Sequence, residues 1–131
     1  MIGLDTNVLM RYLAQDDAKQ SAQATRLIES LSPQKPGFIG IVNLVELVWV
    51  LESCYDASHA TIVATLDGLL RTKSLVLENP ETVARALRLF GAGHKDFADC
   101  LIACSATAAG CSLIYSFDKA AIKQADMTAL P

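Results

Sequence analysis

The chain lacks a surplus of positive charge. Its 11 Lys and Arg are outnumbered by 14 Asp and Glu, for a net charge of −3. That excludes broad, sequence-independent attraction to polyanions over a basic face, but leaves open an acidic site that meets them through a bound divalent cation. No apolar run is long enough to span a membrane: the longest candidate, Phe38 to Leu51, is short and interrupted by Asn43 and Glu46. Met1 runs directly into an apolar strand, so no signal peptide is expected and the expected address is the cytoplasm. Closely paired cysteine spacings are missing too. Cys54, Cys100, Cys104 and Cys111 all have apolar neighbours, so buried, reduced thiols are expected rather than two disulfides. A zinc site from His94, Cys100, Cys104 and Cys111 lacks the spacing of structural zinc sites. Internal repeats and low-complexity tracts are also absent.

What remains is a chain of 131 residues, 52% hydrophobic and 19% charged. It reads as one globular domain over residues 1–131, able to bury about two-thirds of its unfolded surface. Met1 to Leu4 is a short apolar strand that ends on Asp5, with Thr6 or Asn7 opening a helix that closes at Arg11 to Leu13. Asp16 and Asp17 start a second helix running to about Leu31, which Pro33 and Pro36 end. Gly37 to Gly40 is a second strand. The run from Ile41 to about Cys54 is rich in Val and Ile, yet its length predicts a helix. Within it Asn43 and Glu46, three apart, share one face, and Trp49 is expected in the core. Ser58 caps a helix through His59 to Arg71, and Ser74 to Leu77 is the third strand. Asn79-Pro80-Glu81 is a helix start with a capping residue and a proline at the first helical position. That helix ends near Gly91 to Gly93. Asp96 opens another, which Gly110 stops. Ser112 to Ser116 is the fourth strand, a short helix follows Asp118, and Met127 to Leu130 supplies an edge strand. Strands alternating with pairs of helices predict an α/β fold, a three-layer α/β/α sandwich around a central parallel sheet of four or five strands.

Four carboxylates stand out against this frame. Asp5 and Asp118 each end a strand, and ligands of open parallel sheets bind beyond those ends. Each also suits an ordinary turn or helix cap. Glu46 lies in a strongly apolar helix without Lys or Arg within a turn, an expensive position for a buried charge unless a partner, such as a distant Arg11 or Arg88, neutralises it. Asp99 falls in the first turn of its helix, where an acid gains from the macrodipole, although Asp96 suits that role better. Helices that follow parallel strands begin at the same sheet edge, so all four are expected to converge. A pair of carboxylates about 5 Å apart repels by about 3 kcal/mol at an effective dielectric of about 20. They therefore call for a cation, and an all-oxygen set favours Mg²⁺ or Mn²⁺.

The order and spacing of Leu4-Asp5-Thr6-Asn7, the Asn43-x-x-Glu46 helix, Asp96-Phe97-Ala98-Asp99-Cys100-Leu101-Ile102-Ala103 and Tyr115-Ser116-Phe117-Asp118 resemble PIN-domain ribonucleases, specifically the VapC-like toxins of bacterial toxin–antitoxin pairs. The resemblance covers essentially the whole chain. It implies a PIN-like sandwich and a Mg²⁺- or Mn²⁺-dependent endoribonuclease. It makes Asp5, Glu46, Asp99 and Asp118 the catalytic and metal-binding acids, with Thr6, Asn7, Asp96 and Ser116 in support. It further implies an RNA substrate, a cognate antitoxin protein and a homodimer. Ser116 stands where many relatives carry Thr, and Cys100 where many carry Ala; neither change alters charge. Lys119, Lys95 and Arg11 lie nearest in sequence for gripping a phosphate chain.

Two other readings set the comparison. An aspartyl-phosphate phosphatase also places a nucleophilic Asp after its first strand, but needs a second Asp two residues later, where this chain has Asn7. A binding module that kept the fold and lost the reaction would tolerate loss of an acid, and none of the four is lost.

Overall fold

Gly37-Phe38-Ile39 is the middle strand of a parallel sheet, and its register fixes where the following residues emerge. The computed structural model describes all residues, 1–131, in two compact units, Met1–Glu78 and Asn79–Pro131. In the first, β1 (Ile2–Gly3) is followed by α1 (Thr6–Ala14) and α2 (Ala18–Glu29). Then come β2 (Gly37–Ile39), α3 (Ile41–Cys54), α4 (His59–Arg71) and β3 (Leu75–Leu77). The sheet order is β1-β2-β3, all parallel, with Gly3 beside Phe38 and Phe38 beside Val76. The ladder runs on past the strand ends: Leu4 N–H donates to Phe38 O and Glu78 N–H to Ile39 O, both at 2.9 Å. Asp5, Gly40 and Glu78 consequently leave the sheet at the same carboxyl edge. Strand contact is close, since a Cβ on Gly37 would meet Leu31 and Leu4 side-chain carbons at 2.8 and 2.9 Å.

The helical prediction for residues 41–54 holds. Its burial shows why an all-apolar run need not be buried all round: Leu44, Leu47, Val48 and Leu51 are buried at helical spacing. Val42, Glu46 and Trp49 lie off that stripe and are exposed. Two expectations fall with this. Trp49 is 64% exposed and not core, and Glu46 sits in solvent, so its charge needs no buried partner. Arg11 is paired with Asp16 instead.

The second unit contains α5 (Pro80–Gly91), α6 (Phe97–Ala108), β4 (Tyr115–Ser116), α7 (Lys119–Gln124) and β5 (Thr128–Ala129). α5 and α6 pack on each other, with Phe90 and Phe97 edge to face at 5.6 Å between ring centres. Gly110, at φ 97°, takes the left-handed conformation that ends α6. β4 and β5 pair in parallel, and Ala103, Ala121, Ala125 and Met127 form a small apolar cluster.

An α/β fold with a parallel sheet flanked by helices is therefore what the sequence led one to expect. The five strands divide into a three-stranded and a two-stranded sheet rather than one sheet of four or five, and residues 112–114 stay outside β4. All four cysteines are free; Cys100 and Cys104 are buried as expected, whereas Cys54 and Cys111 are exposed, one closing α3 and one in the turn after α6. Asn79 does start α5, yet makes no capping bond with its side chain. No helix is long and apolar enough to cross a membrane.

Ile39 is fully buried at the centre of the three-stranded sheet. Ile39→Ala is expected to cost about 2–5 kcal/mol in urea unfolding; a loss below about 1 kcal/mol would show that β2 does not organise this unit.

Candidate active site

In the first unit the site grows from helix starts. Asp5 is the N-cap of α1: its Oδ1 accepts the Thr6 N–H at 2.8 Å. Thr6 is buried and its hydroxyl bridges two helices. It accepts from Asn43 Nδ2 at 3.1 Å and donates to Glu46 Oε1 at 2.9 Å. Asn43 Oδ1 in turn accepts the N–H of Gly40 at 3.1 Å. Gly40, the N-cap of α3, has no side chain to cap with, and Glu78 Oε1 takes the Ile41 N–H at 2.9 Å. A continuous chain of hydrogen bonds thus leads from the end of β2 through Asn43 and Thr6 to Glu46. Thr6 and Glu46 meet through that hydroxyl. Asn7 instead lines a separate cavity with Arg11, Gln20 and Gln23.

In the second unit Asp96 caps α6, its Oδ1 accepting the Asp99 N–H at 3.0 Å. Asp118 caps α7, its Oδ1 accepting from Ala120 N at 2.9 Å and Ala121 N at 3.2 Å. Ser116 Oγ receives the Asp118 N–H at 2.9 Å and holds that turn. The Asp99 carboxyl is pushed above its ordinary value, first by burial and then by the negative charges of Asp96 and Asp118. These acids therefore sense one another.

Capping does not use up these carboxylates. A carboxylate offers about four lone-pair positions, and in Asp5, Asp96 and Asp118 the capping bonds fall on Oδ1 alone. The other oxygen, already aimed by the cap, is left for a ligand. Basic residues leave these acids alone: the two salt bridges of the chain are Arg11–Asp16 and Arg71–Asp67. The donors are all oxygens, which suits a hard divalent cation. Three Asp, Glu, His or Cys side chains do not come together as a ready-made cage. Mg²⁺ is commonly held by one or two carboxylates, with water and substrate phosphate supplying the rest.

Compared with models of protein families, the chain matches the PIN domain over residues 2–127. The chain belongs to the PIN-domain family. PIN domains are a nuclease-type fold, generally bind nucleic acid, typically use divalent metal ions and often partner with antitoxins. A search of curated proteins and a search of solved structures each gave no match.

Within this PIN domain Asp5 and Asp118 are N-caps of α1 and α7, Asp99 lies in the first turn of α6, and Glu46 lies in the second turn of α3. Sequence reasoning passed over Glu78, although it follows β3 as Asp5 follows β1; an acid directly after an apolar strand was the available signal. Asn43 was recognised only as a motif partner of Glu46, yet it connects Gly40 to Thr6. Among the cations nearest the acids, Arg11 is held by Asp16 and Gln20, while Lys95 and Lys119 are exposed.

The Thr6 hydroxyl is testable by itself. Thr6→Val should cost about 1 kcal/mol in unfolding free energy, as for a typical net hydrogen bond, with Thr6→Ser close to wild type; equal losses in both variants would remove the hydroxyl's role. Asp99 gives a pH test. Because its folded-state value is raised, the native state holds the proton more tightly than the unfolded chain. Its contribution is thus a destabilisation that appears as pH rises through the window above the ordinary aspartate value. The stability of Asp99→Asn relative to wild type should increase from acid toward neutral pH, read as the difference in melting temperature. A difference that is flat or falls with pH contradicts this.

Proposed function

We propose that the chain is a Mg²⁺- or Mn²⁺-dependent endoribonuclease, the VapC-like toxin of a toxin–antitoxin pair, working in the cytoplasm. One observation carries the reading: Asp5, Glu46, Asp99 and Asp118 form no ion pair with any basic residue, in a chain that belongs to a nuclease-type family. Acids held in place by caps and hydroxyls, and not neutralised by protein cations, are poised for a metal cation.

On this reading Asp5, Glu46, Asp99 and Asp118 are the acids that serve the divalent ion. When bound, the divalent ion neutralises phosphate oxygens and makes a water molecule easier to deprotonate. The chain's own residues do the positioning. Thr6 holds the Glu46 carboxylate, Asp96 orients the first turn that carries Asp99, and Ser116 fixes the turn before Asp118. Exposed Lys95 and Lys119 are the cations free to meet a phosphate chain. Exposed Val42 and Trp49 on α3 offer apolar area for an antitoxin segment or a second copy in a homodimer.

The test is incubation of the purified protein with mixed RNAs in Mg²⁺, Mn²⁺ or chelator. Cleavage should require the metal, and Asp5→Asn and Asp99→Asn should each lower it more than about 100-fold, beyond the usual cost of losing an outer-shell partner. Metal-independent cleavage, or undiminished cleavage by both variants, would overturn the proposal.

A further inference from the structure

The start of α5 carries donors that nothing in the protein uses. Asn79, its N-cap, makes no side-chain capping bond, and Pro80 at the first helical position has no N–H to give. The N–H groups of Glu81 and Thr82 find no backbone acceptor before the helix either. A cavity of about 620 Å³ opens over this helix start, bounded by Asn79, Glu81, Thr82 and Arg85 of α5 and by Ser105 of α6, all in the second unit. Thr82 is the informative residue: it is 8% exposed, and its hydroxyl has no hydrogen-bond partner. Only His94 Nδ1 is both unpartnered and sealed from water, so the Thr82 hydroxyl opens onto the cavity that its residue lines. Ser105 adds a second unpartnered hydroxyl. Arg85 stands four residues from Glu81 and also borders a second cavity with Asp126. It pairs with neither acid, because the two salt bridges of the chain lie elsewhere.

We propose that this cavity binds a phosphate group, free or carried by an RNA strand. Everything unspent around it is a donor: two N–H groups at the positive end of a helix, a guanidinium and two hydroxyls. A phosphate has oxygens enough to take donors arriving from both helices, and a guanidinium matches two of them at once. The end of α6 that borders the cavity offers little opposition. Its Ser105, Ala106 and Thr107 carbonyls are taken by the N–H groups of Ala109, Cys111 and Gly110. Glu81 is the one opposing charge, and it is exposed and screened by water. The site is separate from the candidate acids: along α6, Ser105 lies about 9 Å beyond Asp99 at about 1.5 Å per residue. It does not depend on the nuclease reading.

Titration of the isotope-labelled full chain with inorganic phosphate, against sodium chloride of matched ionic strength, tests this through the amide signals of Glu81 and Thr82. Both should shift along one saturating curve. Arg85→Gln, at an exposed position, should weaken binding about tenfold, as for loss of a hydrogen bond to a charged group. Thr82→Val keeps the shape of the side chain and should weaken it about fivefold, whereas Glu81→Gln should tighten it about twofold. Hexauridylate with hydroxyl ends and with a terminal phosphate, each added to the Asp99→Asn protein, separates the two sources. Binding of the hydroxyl-ended strand that Arg85→Gln weakens assigns the site to the RNA backbone. Binding confined to inorganic phosphate and the phosphate-ended strand assigns it to a free or terminal phosphate. Shifts that match those in chloride overturn the inference. So does equal saturation by acetate, or phosphate binding that neither Arg85→Gln nor Thr82→Val changes.

Discussion

The hydroxyl of Thr6 is the point through which the sheet edge and the first acidic group are tied. It is buried, accepts from Asn43 and donates to Glu46. Through Asn43 it connects to Gly40, the residue at which β2 becomes α3. A parallel sheet delivers strand ends to one edge, but delivery does not orient a side chain. Here the orientation comes from hydrogen bonds that link one helix start to another, each oxygen and amide in the series having a partner. Such chains polarise cooperatively in a low-dielectric setting. The charge of Glu46 ends the series and remains in solvent.

The second unit orients its acids by a related but separate device. Asp96 and Asp118 each spend one oxygen on backbone N–H groups at a helix start. A caps-only reading and a ligand reading of these residues are usually set against each other. The geometry makes them compatible, because the capping bond fixes the direction of the oxygen that remains. The cost appears at Asp99, where burial and two neighbouring acids disfavour the charged form. Strain of this electrostatic kind is what a bound cation relieves.

Much of this was legible in the chain. The strand-to-acid-to-helix pattern at Leu4-Asp5-Thr6, the helix over 41–54 and the caps at Ser58 and Asp96 follow from length, spacing and capping chemistry, and all are found. The less legible features share a cause. An apolar helix such as α3, with few polar residues, carries little in its sequence to say which face is covered; Trp49 and Glu46 lie on the open one. The partner of Glu46 is a hydroxyl 40 positions away, which leaves no trace in local spacing. The work of Glu78, capping a helix that begins at a glycine, depends on strand register and not on neighbouring sequence.

The central proposal is that Asp5, Glu46, Asp99 and Asp118 serve to hold a divalent cation. Crystals grown with Mn²⁺ and measured for anomalous scattering test it directly. A manganese peak should have among its ligands a carboxylate of Asp5, Glu46, Asp99 or Asp118. No manganese at any of the four would contradict the account.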